Sequence, residues 1–346
     1  MNSEYKFIIL LLLACLSISS TGQTLTEIPV DGLPAPITTG PDGALWFMMD
    51  NGSPDAIAKL TTSGVLTKFT LPGEVGTDGS IVTGPDGALW FSTSTDATVG
   101  RITTTGVMTV FNIPAGYPLG TTHGITAGPN GNLWFTELYA NKIGEITPSG
   151  VITEFAIPTP GSLPNKITAG PDGALWFTES AANKIGRIST AGVFAEFPVP
   201  TSSSFPHWIT TGSDGALWFT EAVGNKIGRI TTTGVITEYG IPTTNSQPGD
   251  IITGPDGALW FVESGGNKVG RITNTGVISE FNIPGLNSYP VGITTGSDGA
   301  IWFTELDRLR IGRLSLVTER IPTLSDAGAF ALVLALAVVV VYRLRL

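Results

Sequence analysis

The chain has 346 residues, of which 44 are glycine and 24 proline, and only 13% carry charge, a composition that suits an all-β protein dense in turns. Its formal net charge is −10, and without the two ends the stretch from Thr24 to Asp326 holds 27 acidic against 15 basic side chains, so a phosphate backbone is repelled and nucleic acid is excluded as a partner. The single cysteine, Cys15, lies ahead of that stretch, which therefore cannot contain a disulfide.

Residues 1–23, MNSEYKFIILLLLACLSISSTGQ, carry Lys6 and then an apolar run of signal-peptide length, too short to span a bilayer. They predict export, with cleavage near Gly22. The alternative is a lipoprotein signal, in which Cys15 of LLAC is acylated and becomes the mature N-terminus.

From residue 24 to 320 one unit repeats. Trp46, Trp90, Trp134, Trp176, Trp218, Trp260 and Trp302 recur at spacings of 44, 44, 42, 42, 42 and 42 residues. A fixed period near forty marks units that cannot bury their apolar surface alone and must stack. Within a unit, four short runs rich in Ile, Val, Thr, Phe and Trp are separated by PDG, ANK and TTG, which reads as four antiparallel strands. Adjacent Trp176 and Phe177 point to opposite faces of their strand, so both faces of each sheet need cover. Radial repetition supplies it, and the chain is predicted to be a seven-bladed β-propeller of four-stranded antiparallel blades. The Asp of each GPDG turn reads as structural, with calcium binding as the alternative. TLTEIPV at 24–30 resembles a fourth strand, yet precedes the first full unit; it is expected to complete blade seven and lock the ring.

Residues 321–346, IPTLSDAGAFALVLALAVVVVYRLRL, have a polar lead, an apolar stretch from Ala327 to Tyr342, and Arg343 and Arg345 at the tip. The arginines stay cytoplasmic by the positive-inside rule, which turns the propeller outward. This tail resembles the bacterial IPTL-type C-terminal sorting signal, beginning at Ile321 to Leu324, and implies envelope sorting or processing machinery. The plain alternative is a retained transmembrane helix holding the propeller at the periplasm or cell surface.

In a propeller the loop into the first strand and the loop out of the second share one face, and function is sought at that channel mouth. Two residues before the first-strand isoleucine the blades place Ala35, Gly79, His123, Asn165, His207, Gly249 and Val291, so the only two histidines share one register. The next position holds Pro36, Ser80, Gly124, Lys166, Trp208, Asp250 and Gly292. His123, Asn165, Lys166, His207 and Trp208 thus form a candidate ligand-binding arc on blades three to five, with His123 and His207 as catalytic candidates. Glu137, Glu179 and Glu221, with Glu263 and Glu305 in the same register, end the second strands. Such carboxylates beside imidazoles can bind a divalent metal or run acid and base chemistry; alternatively each pairs with the lysine of a nearby NK corner.

The repeated GPDGALWFTE, NKIGRIT and ITEF segments resemble the streptogramin lyases, the family of virginiamycin B lyase, over nearly all of 24–320. The resemblance implies a lyase that opens a lactone ring by elimination, with a histidine base and a magnesium ion at the channel mouth. The implied catalytic histidine falls at Val291, in Tyr289-Pro290-Val291-Gly292-Ile293. The implied second histidine falls at Gly249, and a tyrosine entering blade one falls at Ala35. The sequence therefore leaves two functions open: an exported, monomeric propeller that binds a small molecule, glycan or peptide at the mouth, and a lyase with a rearranged site.

Overall fold

The computed structural model describes residues 24–316 apart from 51, 53, 72–78, 94–96 and 115–121. The signal-peptide and sorting-signal segments, 1–23 and 321–346, lie outside the described residues. Among the described residues there is no helix; 28 strands form seven four-stranded antiparallel sheets. Six blades run in simple chain order, as in blade four: Pro164–Ala169, Ala174–Glu179, Lys184–Ser189 and Phe194–Pro198. The seventh takes Pro290–Thr295, Ile301–Glu305 and Arg310–Ser315, and its outermost strand is Thr24–Pro29 from the other end of the chain. The expected closure is what forms. Val30 N–H donates to the Leu309 carbonyl at 2.8 Å, and Glu27 takes ion pairs from Arg308 and Arg310.

Alternation along the second strand builds the core. Trp176 packs with Ile209 and Phe219 of blade five, whereas Phe177 packs with Trp134 of blade three, so each inter-blade layer joins the tryptophan of one blade to the phenylalanine of the next. Trp302 and Phe47 meet in the same way across the closure. All seven of these tryptophans are fully buried, and six stack against a fourth-strand aromatic at 5.5–5.7 Å. Opposite the phenylalanine the third strand carries glycine in blades two to seven, and Ala58 faces Phe47 in blade one; a Cβ on Gly186 would lie 2.1 Å from the Phe177 ring.

The GPDG face is held by one repeated network. Asp172 Oδ1 accepts from Trp176 Nε1 at 3.0 Å while Oδ2 pairs with Arg187 Nε at 2.7 Å, leaving these aspartates engaged by protein groups rather than presented to a cation. Blade three keeps the geometry with a neutral amide and a carboxylate in place of the carboxylate and guanidinium. Asn130 Oδ1 takes the Trp134 indole N–H at 3.1 Å, and Glu145 replaces the arginine, accepting from Asn130 and Asn132 at 2.7 Å each.

Candidate functional site

The mouth register sits on a bulge. In blades three to seven and in blade one the first-strand pairing skips two residues, as between Pro164 and Ile167, and the skipped pair is the one that reads His207-Trp208, Gly249-Asp250 or Val291-Gly292 in its own blade. A bulge re-aims side chains off the ladder, which is how a repeating scaffold presents a different pair from each blade toward the axis.

A cavity of about 380 Å³ opens on this face, bounded by blades five, six, seven and one. Its walls are mostly apolar: Ala35, Trp208, Gly249, Val291, Phe205 and Tyr289 supply much of them, and the His207 ring, Gln247 and Ser264 supply polar groups. The cavity exists because Ala35, Gly249 and Val291 are small. Phe205, Gln247 and Tyr289 hold left-handed backbone, with φ of 57°, 48° and 49°. Bulky residues adopt that region rarely, and where they do the surroundings hold them, commonly at ligand sites.

Burial, with the nearby Lys166 ammonium and His123, lowers the His207 imidazole to about 3, so it is neutral at physiological pH and can give or take a hydrogen bond at the cavity wall. Its ring lies 6.0 Å from Phe205 and 6.1 Å from Trp208.

Lys166 does not reach the cavity. It crosses the central channel, donating to Gly79 O at 2.8 Å, Ser80 Oγ at 2.9 Å and His123 O at 3.3 Å, with the Trp208 ring centroid 4.2 Å from Nζ. An ammonium that meets three acceptors and an aromatic face is a brace. Trp208 therefore has Lys166 on its channel side and also walls the mouth cavity. Below this brace a channel cavity of about 190 Å³ is lined by the first strands of all seven blades. Asp250, buried beside it, accepts from Ile251 N–H at 2.8 Å and Ile293 N–H at 3.1 Å; burial raises its carboxyl against those bonds and the Lys166 charge.

Of the predicted arc, then, His207 and Trp208 line the mouth cavity, Lys166 braces the channel, and His123 and Asn165 line neither space. Phe205, Gln247 and Tyr289 escaped the sequence reading. Their signal was the variable position of the repeated Ser-x-Pro, which reads Leu163, Phe205, Gln247 and Tyr289 around the ring.

The expected pairing of these glutamates with the lysines of the NK corners does not form. Glu137, Glu179 and Glu221 are buried, each in its own blade, and so are Glu263 and Glu305. Lys184 is the strand partner of Glu179, yet its ammonium goes to Glu196 Oε2 at 2.9 Å and Thr159 Oγ1 at 2.7 Å; Lys142, Lys226 and Lys268 likewise pair with Glu154, Glu238 and Glu280. Burial first, then the neighbouring carboxylate, raises Glu179 and Glu221 to about 7 and Glu137 and Glu263 to about 8. Among the described residues no three His, Cys, Asp or Glu side chains gather as a metal site. The cavity offers only one imidazole of that type, so the donor set does not fit magnesium.

The Virginiamycin B lyase family model matches residues 17–125 and 120–322. The chain belongs to the virginiamycin B lyase family. A streptogramin B lyase structure is 41% identical, with a TM-score of 0.80, covering 85% of this chain and 98% of that one. A virginiamycin B lyase from Staphylococcus aureus is 40% identical over 85% of this chain and all of that one, with a TM-score of 0.79. A catalytically inactive histidine-to-alanine variant from the same organism, solved with quinupristin, is 41% identical over the same shares, with a TM-score of 0.80. No curated protein matches the chain. The three positions where likeness to the virginiamycin B lyase family implies a tyrosine and two histidines, Ala35, Gly249 and Val291, all face this cavity.

Proposed function

We propose that this propeller is an exported, envelope-associated binding protein that takes a small, largely apolar molecule carrying an aromatic or cyclic group into the mouth cavity. The observation that carries the reading is the composition of the cavity wall: Ala35, Gly249 and Val291 leave room, Phe205, Trp208 and Tyr289 offer aromatic contact, and His207 is the one titratable imidazole there, with no carboxylate beside it. A neutral His207 and Gln247 can give and take hydrogen bonds and Ser264, whose proton goes to Pro290 O at 2.7 Å, can accept one, which is the division of labour of small-molecule pockets. The export half of the proposal rests on residues 1–23 and 321–346 of the sequence.

A lyase reading has its own support, the 41% identity to a streptogramin B lyase over 98% of that chain. It requires a base, and His207, held near 3, is the one imidazole on the cavity wall.

Thermal-shift screening of aromatic small molecules and apolar cyclic peptides tests the binding reading. A molecule that stabilises the wild-type protein is expected to lose at least about tenfold in affinity, roughly 1.4 kcal/mol, with Trp208→Ala. Equal stabilisation of wild type and variant by every hit places the ligand elsewhere and overturns the assignment.

A further inference from the structure

The loops that carry Phe205, Gln247 and Tyr289 rest on buried carboxyl groups. Each is tied to the turn that follows a second-strand glutamate: Ala222 N–H donates to Phe205 O at 3.1 Å, Ser264 N–H to Gln247 O at 3.2 Å, and Leu306 N–H to Tyr289 O at 3.2 Å. One residue earlier in each turn lies Glu221, Glu263 or Glu305, fully buried, with neither carboxyl oxygen in a hydrogen bond. The loop's serine cannot help a charged carboxylate in blade five, because the Ser204 hydroxyl already donates to Asn183 Oδ1 at 3.0 Å; in blade six Ser246 is committed to Asn225 Oδ1 at 2.9 Å. A hydroxyl has one proton to give. A buried ionised carboxyl without donors is costly, whereas the neutral acid is tolerated and can itself donate to the serine oxygen.

The surrounding charges are the same in kind in each blade. Glu221 faces Glu238 on the fourth strand and Lys226 on the third; Glu263 faces Glu280 and Lys268; Glu305 faces Glu27 from the closing strand, with Arg308 and Arg310. The basic groups are already paired with the fourth-strand carboxylates, including Glu27, so the second-strand glutamate meets a neutralised pair and a nearby negative oxygen. Burial and that neighbour push Glu221 to about 7 and Glu263 to about 8; burial raises Glu305 against the opposing pull of the nearby Ser288 hydroxyl, with Glu27 adding to the rise.

Resting on the reading of the mouth cavity as the ligand site, we propose that Glu221, Glu263 and Glu305 gate it: each seats its loop while protonated and releases it on ionisation. The left-handed conformations of Phe205, Gln247 and Tyr289 persist only while the loops are seated. The cavity is thus complete in mildly acidic surroundings; the blade-five and blade-six loops loosen as the pH rises through 7 to 8, and the blade-seven loop follows as Glu305 ionises. Lifting a loop lets water reach the carboxylate, and this coupling makes opening a proton-linked equilibrium.

Amide hydrogen exchange of the full-length chain without ligand, corrected for intrinsic rates between pH 6 and 8.5, tests the gate independently of any binding. Protection of the 200–206, 243–248 and 285–290 loops is expected to fall by up to about tenfold per pH unit once the carboxyls ionise. It should stay flat in the Glu221→Gln, Glu263→Gln, Glu305→Gln triple variant. Should that variant fold poorly, Glu221→Gln alone is expected to flatten the 200–206 loop while the other two keep their pH dependence. His207→Ala is expected to leave the dependence intact, which removes the imidazole as its source. Protection that does not change with pH in the wild-type protein, or that changes equally in the glutamine variants, overturns the proposal. Failure to find a ligand that depends on Trp208 leaves these exchange results standing and overturns only the binding reading.

Discussion

The two faces of the ring are built from the same strands, yet they differ in how they vary. On the GPDG face every blade solves the same problem: an Asp or Asn oxygen on the tryptophan N–H and a charged third-strand side chain closing the turn. Even blade three, with Asn130 and Glu145 in place of an acid and a base, restores it by letting the amide N–H donate to the carboxylate. On the mouth face no two blades carry the same pair: Ala35-Pro36, His123-Gly124, Asn165-Lys166, His207-Trp208, Gly249-Asp250 and Val291-Gly292 share a backbone position and at most one residue. Sameness marks the groups that hold blades together. Difference marks the groups that face a ligand, because a ligand has no sevenfold symmetry to match.

That contrast is sharpest in stability. Trp218→Ala removes a fully buried side chain that packs with Phe261 of blade six and stacks on Tyr239 at 5.7 Å, and is expected to cost about 3–5 kcal/mol in denaturant unfolding. Gly186→Ala forces a methyl against the Phe177 ring and is expected to cost about 1–3 kcal/mol. Trp208→Ala, at the mouth, is expected to cost less than either in the same experiment while abolishing ligand-induced stabilisation. A mouth variant as damaging as Trp218→Ala would erase the distinction between the faces.

A smaller effect separates the faces by pH. The mouth-side glutamates Glu137, Glu179, Glu221 and Glu263 titrate at about 7 to 8 in the fold, above the ordinary carboxylate range, so the folded chain holds more protons than the unfolded one through that window. Their contribution is greatest below the unfolded range and is lost as pH rises through 7 to 8. Burial raises the GPDG-face aspartates Asp86, Asp172 and Asp214, but the tryptophan N–H and the arginine outweigh it and hold them below the ordinary aspartate range. They stabilise the fold above the ordinary aspartate range and lose that contribution as pH falls through their folded values. Calorimetric Tm is therefore expected to be highest in mildly acidic buffer and to decline on both sides. A Tm that climbs steadily from pH 5 to 9 would contradict the protonated glutamates.

Blade number, strand order and ring closure were legible in the sequence because tryptophan spacing, strand alternation and the orphan TLTEIPV all point to one topology. The mouth face was legible too, since His207, Trp208 and Lys166 fall in a register that the fold turns toward the axis. The position of the cavity was not. A sequence reading looks for large and chemically distinctive side chains, whereas the space opens where Gly249, Val291 and Ala35 fail to fill it. The glutamates misled for a related reason: Glu179 and Lys184 are strand partners, but the lysine turns to Glu196 and Thr159, a choice made by the fourth strand and the preceding inter-blade loop.

The mouth cavity is proposed to hold a ligand without opening its ring. Incubating the purified protein with quinupristin and separating intact from ring-opened forms by chromatography, with and without magnesium, is the decisive experiment. Quinupristin is expected to elute intact at the background rate. Turnover well above background, lost in His207→Ala, would contradict it and place a working lyase site in this same cavity.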